Sequence, residues 1–474
     1  MKTFYITTTL PYVNSEPHIG FAMEIIQADI IARAKKLQGF EVFFNTGSDE
    51  HGQKMYKKAL EAGKEPKVYM DEFAEKFKNL KFILNLSEDL RFIRTTDEHH
   101  KKSAQEFWRR CKENGDIELK NYKTKYCVGC ELEKTDSELV DGKCPIHPGK
   151  ELEVREEENY FFKFSKYGPK LLELYENQKN FVIPEHRINE IKALIDRGLE
   201  DFSVSRLAEK MPWGVPVPDD SKHVMYVWFD ALVNYISTIG WPDNMENFKK
   251  WWPVVQFAGK DQVRQQAAIW QSMLMSAGVS PSKQIIIHGF INIGGEKMSK
   301  SIGNVVNPMD LVNEYGIDAV RYYLTREVNQ FEDSDFTMER FKQAYNSGLA
   351  NGLGNLVSRI MKMASDNLDG PAEIPEFEDM TGYFEILNNF EINKAVEYIW
   401  KVIGEMDSYI QQNQPFKVVK TDKEAGQKMI KELVVKLYTV ARMLNPILPE
   451  TSVKIKELIK ANKSPESPLF IRKD

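Results

Sequence analysis

Residues 2 to 48 change their hydrophobic period twice, and this limits the fold more than any other feature of the chain. KTFYITTTL is apolar and rich in Thr, Ile and aromatic residues, which predicts a strand. From Ile19 the apolar positions take helical spacing (Ile19, Ala22, Met23, Ile26, Ile30, Ala34, Leu37), and Gly39 ends that helix. FEVFFNTG then reads as a second strand that closes on GSDEHG. Strand–helix–strand at this length is a βαβ unit, whose crossover is almost always right-handed. Its two parallel strands deliver TTLPYVNSEPHIG and GSDEHG to the same end of a sheet. That carboxyl end is where open α/β sheets bind ligands.

The rest of the 474 residues predicts more than one domain, about two to four at ordinary domain sizes. Residues 55 to about 112 read as helical, with a Lys/Arg-rich face in KKSAQEFWRRCK. Residues 118 to 160 hold short β-like pieces and three of the four cysteines, as an insertion with its own stabilising device would. Helices are expected on either side of Pro184. A second βαβ pattern follows: strand-like HVMYVWFDAL and WPVVQFAGKD, a helix from Gln262 to about Ala277, then QIIIHGF. From about Phe341 onward only helical patterns occur. The expected architecture is a split α/β nucleotide-type domain, an insertion within it, and a C-terminal helical bundle. We place the boundaries at 1–115, 116–222, 223–340 and 341–474.

With Lys+Arg 64 and Asp+Glu 70 the net charge is −6, so a polyanionic partner must be met by local basic patches. No run approaches the roughly 18 apolar residues of a membrane span. MKTFYITTTLPYV lacks the layout of a secretory signal, and four cysteines in so long a chain make no disulfide framework. The expectation is a cytoplasmic protein.

Three groups of residues carry chemistry. Pro17-His18-Ile19-Gly20 stands at a helix start, where backbone N–H groups and the helix dipole favour an anion. A lone histidine there is more often an ordinary turn residue. Lys297-Met298-Ser299-Lys300-Ser301 follows Gly294-Gly295, and two lysines on a glycine-hinged loop can close over a triphosphate and offset charge on a leaving pyrophosphate. Most short Lys-Ser runs are solvated loops. Cys127, Cys130, Cys144 and His147 form two C-x-x-[CH] knuckles, a donor set that fits one tetrahedral, structural zinc. Cys111 is left over and reads as packing.

HIG followed one split α/β domain later by KMSKS is the signature pair of class I aminoacyl-tRNA synthetases. The chain resembles the methionyl-tRNA synthetase family over nearly its whole length: LPYVNSEPHIG, GSDEHGQK, YVWFDAL, GKD, HGF and GEKMSKSIGNVVNP occur in that family's order. The resemblance implies a Rossmann-like parallel-sheet catalytic domain, a zinc-bearing connective insertion and an all-α anticodon-binding bundle. It implies ATP contacts at His18, Gly20, Phe21, Gly259, Asp261, His288, Lys297 and Lys300, with His18, Lys297 and Lys300 catalytic. It implies methionine contacts at Leu10, Tyr12, Asp49, Trp228, Ala231, Tyr235 and Gln266, with Asp49 on the amino group. It implies anticodon contacts at Asn355, Arg359 and Phe416. The activity implied is ATP-dependent ligation of L-methionine to tRNA(Met) with Mg²⁺ and one structural Zn²⁺, by a chain whose default state is a monomer.

Four positions depart from the family pattern. Phe21 replaces the second histidine of the first motif and cannot donate to phosphate. Gln266 stands where many members have a histidine lining the amino-acid pocket. Leu232 replaces a frequent Pro, and Phe416 follows Pro415 where the family has a Trp. Two rival readings follow: a synthetase for another amino acid, or a paralogue that binds RNA without catalysis.

Overall fold

The structure, a computed structural model, describes residues 2–13, 16–127, 132–134, 139–145, 147–297, 305–375 and 379–473. Its centre is a six-stranded, all-parallel sheet of β1 (Thr3–Thr7), β2 (Glu41–Ser48), β3 (Leu90–Arg94), β4 (Val182–Ile183), β5 (Val255–Gly259) and β6 (Gln284–His288) in the order β3-β2-β1-β5-β6-β4. The order reverses between β1 and β5, which opens a crevice at their carboxyl ends. Residues alternate between two cores along each strand. Phe4, Ile6, Val255, Phe257 and Ile286 face one; Tyr5, Ala258, Ile285 and Ile287 face the other.

The helices that matter below are α1 (Ile19–Leu37), α2 (Pro66–Ile83), α3 (Glu98–Glu113), α4 (Ile317–Arg326), α5 (Asn355–Asn367), α6 (Ile392–Asn413), α7 (Lys423–Leu444) and α8 (Pro449–Ala461). The first core joins α1 to α4 through α8 without a break, so the C-terminal helices share one hydrophobic interior with a face of the sheet. The second core packs α3 and the inserted segments on the opposite face.

Two local readings are corrected. The stretch read as helical through residue 112 contains β3, because LRFIR alternates and is pulled into parallel pairing with β2. Gly47 permits that pairing, since a Cβ there would lie 1.9 Å from Ile93 O. HVMYVWFDAL is also not one strand. Strand Asp220–Met225 belongs to a separate antiparallel sheet, and Val227–Ala231 turns into a helix. The β-like pieces after residue 116 form two long antiparallel strands, Ile117–Cys127 and Leu152–Phe162. The range 116–222 also supplies β4 to the main sheet.

Candidate active site

The first turn of α1 is capped by His18, whose backbone is extended and whose Nδ1 accepts from Gly20 N at 3.1 Å. That bond leaves the ring proton on Nε2. The helix start is tied to the far side of the crevice by Ile19 N–H donating to Val306 O at 3.0 Å. Beyond the crevice, strands Ile291–Ile293 and Glu296–Lys297 pair antiparallel across Gly294 and Gly295, both at positive φ, as a two-residue hairpin requires. The Lys297 side chain and all of Lys300 lie outside the described residues.

A cavity of about 360 Å³ opens at the carboxyl end of the sheet. Leu10, Tyr12, His18, Gly20, Phe21, Asp49, Trp228, Ala231, Tyr235, Gly259, Asp261, Gln266 and His288 all line it, so residues more than 270 positions apart in sequence meet at one place. Leu232 lines it as well.

The cavity wall holds the carboxylate of Asp49, which is 4% exposed and whose Oδ1 has no hydrogen-bond partner. Burial, and then the nearby Asp230, push its carboxyl well above the usual range. Asp230 goes the other way. Its burial cost is outweighed by His51, whose Nδ1 lies 3.1 Å from Oδ2, and by His100 beyond it, so its carboxyl is held low. A fixed anion behind an unpaired acceptor makes this a place for a cation. Around it, Trp228 Nε1 donates to Tyr12 OH at 3.2 Å. Gln266 donates to Tyr235 OH at 3.0 Å and accepts from Gln256 Nε2 at 2.8 Å. The Gln266 amide is therefore locked within a polar chain that runs through Gln256, Ser282 and Gln271. Such a pocket suits an ammonium group with an apolar side chain beside it.

Gly259, Asp261, Glu24 and His288 line the same cavity. A Cβ on Gly259 would lie 3.0 Å from Asp261 Oδ1, so a larger residue there would crowd that carboxylate. His288 meets an acceptor on each nitrogen: Gly289 O at 2.7 Å and Glu24 Oε2 at 2.8 Å. Burial lowers its pKa, but the Glu24 bond and charge outweigh burial and raise it, which favours the charged ring. Phe21 lines the cavity with its ring set edge-on to Phe77, centroids 5.5 Å apart.

Sequence reasoning left Glu24, His51, Phe77, His100 and Asp230 without a role. His51 and Asp230 lie inside the motifs already quoted. Glu24 stands in the apolar run MEIIQADII, and an acid there is the available signal.

Away from the cavity, Cys127, Cys144 and His147 place their ligand atoms within 4.8 Å of one another, and both cysteines are buried. Cys127 Sγ lies 3.8 Å from His147 Nδ1. Two ligands on one tetrahedral metal with bonds of about 2.0–2.3 Å stand about 3.3–3.8 Å apart, so the group can hold a metal ion. Cys130 lies outside the described residues. Cys111 is fully buried and its thiol is pushed up to about 12 by burial, which fits a packing role. In the bundle, Arg359 pairs with Asp407 of α6, while Asn355 and Phe416 are exposed. No helix among the described residues is long and apolar enough to cross a membrane.

A family model for class I tRNA synthetases of the M type matches residues 4–151 and 146–361. A model for the anticodon binding domain of methionyl tRNA ligase matches residues 374–468. The methionine–tRNA ligase of Thermotoga maritima is 42% identical over 470 residues, covering 95% of this chain and 74% of that protein. That of a Nostoc species is 40% identical, with coverage of 96% and 89%. The crystal structure of Mycobacterium tuberculosis methionyl-tRNA synthetase bound by methionyl-adenylate superposes with a TM-score of 0.90 at 36% identity, covering 99% of this chain and 100% of that one. With both family models matching in order and these relatives aligned over nearly its whole length, the chain belongs to the methionyl-tRNA synthetase family of class I tRNA synthetases.

Proposed function

We propose that this protein activates L-methionine with ATP and transfers it to the terminal ribose of tRNA(Met). The methionine carboxylate attacks the α-phosphorus of Mg·ATP; the bond to the β-phosphate oxygen breaks, and pyrophosphate leaves. A ribose hydroxyl, the 2′-OH in this class, then attacks the adenylate carbonyl and AMP departs. No covalent bond to the protein forms, so catalysis is positioning and charge stabilisation.

The observation that carries the reading is the buried Asp49 carboxylate, whose Oδ1 has no partner, in the same cavity as the His18-capped start of α1. Asp49 takes the ammonium group. Leu10, Tyr12, Trp228, Ala231, Tyr235 and Gln266 enclose the thioether side chain. Asp261 accepts from the ribose hydroxyls, and Gly259 lets the nucleotide approach. His18 Nε2–H donates to phosphate, joined by Lys297 and Lys300 as charge builds on pyrophosphate. Phe21 is compensated by these groups. Asn355, Arg359 and Phe416 contact the anticodon, and basic surface supplies the salt-sensitive part of RNA binding.

Cys127, Cys130, Cys144 and His147 hold one zinc, which organises the inserted segment and takes no part in the reaction. Mg²⁺ arrives with ATP. The partition into 1–115, 116–222, 223–340 and 341–474, a monomeric state and a cytoplasmic location complete the reading.

Amino-acid-dependent ATP–pyrophosphate exchange with purified protein tests it. Exchange with methionine alone supports substrate, reaction and tolerance of Phe21. Absence of exchange with every amino acid, from folded protein, would leave an RNA-binding paralogue.

A further inference from the structure

Helix α4 lies between the sheet and the bundle, and Arg321 at its centre is fully buried. Its guanidinium is spread over three separate segments. Nη2–H donates to Asp29 Oδ2 in α1 at 2.8 Å and to Pro446 O at 2.7 Å. Nε–H donates to Ile447 O at 2.8 Å, and Nη1–H to Leu84 O, just past α2, at 3.2 Å. Asp29 is equally committed: it accepts from Arg33 Nε at 2.8 Å and from Ser87 N at 2.6 Å. One turn before Arg321, Asp318 Oδ2 accepts from Thr451 N at 2.7 Å and Thr451 Oγ1 at 2.6 Å, which ties α4 to the first turn of α8.

A buried charge with partners on three segments resists any displacement of one against the others, because a withdrawn partner leaves a desolvated charge unmet. Arg321 therefore sets one placement of α1 against the α7–α8 turn. That turn ends α7, and α7 packs on α5, which carries Asn355 and Arg359. At its other end α1 carries His18. Asp29 and His18 are 11 residues apart on one helix, a rigid span of about 16 Å. The continuous core shared by α1 and the bundle leaves no soft layer between them.

We propose that Arg321 is a positioning residue for RNA charging: it couples the seating of an anticodon on Asn355 and Arg359 of α5 to the placement of α1 and His18. This rests on the function proposed above. The anticodon surface and the methionine and ATP contacts do not include Arg321, so its effect falls on the turnover that follows RNA binding.

The test compares the parent with Arg321→Lys, which keeps the charge and loses the fork. Three quantities are read: methionine-dependent exchange without RNA, charging of an RNA with the methionine anticodon, and charging of the same RNA with one anticodon base changed. Exchange and the KM for the cognate RNA should stay within about threefold of the parent, because the lysine keeps a charge for Asp29 and Glu24 still anchors α1, while the fork to Pro446 and Ile447 is lost. The kcat ratio of cognate to altered RNA should shrink by about tenfold, within the usual range of site-to-site coupling. Thr451→Val keeps the Thr451 N–H bond to Asp318 and removes only a hydroxyl; it should shrink the same ratio by about threefold. An unchanged ratio in Arg321→Lys overturns the proposal, as does a parallel fall of exchange and charging, which would mark a purely structural residue. If Arg321→Lys does not fold, Thr451→Val decides, and an unchanged ratio there overturns it. A parent that shows no exchange with methionine refutes the proposed function and takes this coupling with it.

Discussion

Replacing Asp49 by asparagine should move methionine use and fold stability in opposite directions. The carboxylate is 4% exposed, its Oδ1 has no partner, and Asp230 lies behind it. When an ammonium group binds there, a charge-assisted contact forms in a desolvated site. Losing it costs about 3 kcal/mol, which is on the order of 150-fold in kcat/KM for methionine. The KM for ATP should hardly change, because the proposed ribose and phosphate contacts are other residues of the cavity, Asp261 and His18. Without ligand, the same carboxylate opposes folding. Its folded pKa lies above its unfolded value, so the folded state binds more protons, and the group's unfavourable contribution is present at neutral pH. That contribution fades as pH falls through the raised value and is gone below about 4, the ordinary carboxylate range. Asp49→Asn should therefore melt above the parent at pH 7, and the gap should close on acidification. Methionine titrations in the exchange assay and melting curves from pH 5 to 8 read both quantities. A loss below about tenfold in kcat/KM, or a variant that melts below the parent at pH 7, would refute the reasoning.

Three further outcomes follow from the site. Phe21→His should change the adenylation rate by less than about tenfold, because His18, Lys297 and Lys300 are the phosphate contacts of the proposed site; a gain of several orders of magnitude would show that Phe21 is not compensated. Purified protein should hold about one zinc per chain, and a chelator or Cys144→Ser should lower the melting temperature; protein with far less zinc and an unchanged melt would contradict the assignment. Glu24→Gln should let the His288 pKa fall and raise the KM for ATP by about tenfold. The raised folded pKa of His288 adds stability below the unfolded value of about 6.5 that is lost as pH rises through the folded value. The melting gap between parent and Glu24→Gln should therefore be full at pH 6 and narrow at higher pH; a gap that widens with pH would reverse the sign of the argument.

The parallel sheet was legible because β1, α1 and β2 each keep one hydrophobic period, and a parallel strand pair admits few connections. β3 was not, because LRFIR is five residues between two long helices and only its pairing with β2 makes it a strand. The cavity residues were legible where a motif places them at a strand end, as with Asp49, Gly259 and His288. Asp230, His51 and His100 act on each other through space, across as many as 179 positions of sequence between Asp230 and His51. No periodicity encodes such a cluster. Arg321 is a similar case: in IDAVRYYLTR it looks like a polar residue on an amphipathic helix, and only the fold shows that every side of that helix is covered.

Helix α1 is where these observations converge. Its His18 end faces the crevice between β1 and β5. One turn in, Glu24 Oε1 accepts from both Thr9 N and Thr9 Oγ1 at 2.7 Å, beyond β1, while Oε2 meets His288 at the end of β6. Farther along, Asp29 takes the guanidinium of Arg321. Glu24 and Asp29 are both buried, on a helix whose other inward positions are mostly Ile, Ala and Met. Buried carboxylates persist on such a face only when cations and N–H donors meet them, and each carboxylate here is met by groups from segments distant in sequence. A helix that was only a structural cover for the sheet would need neither. Two acids fixed at two depths give α1 one axial position relative to β1, β6 and the bundle, which is what a phosphate-gripping helix terminus needs. The position next to Gly20, Phe21, takes no part in this placement. The placement of the helix end is set by Glu24 and Asp29, and Phe21 leans on Phe77 of α2, outside that set of bonds.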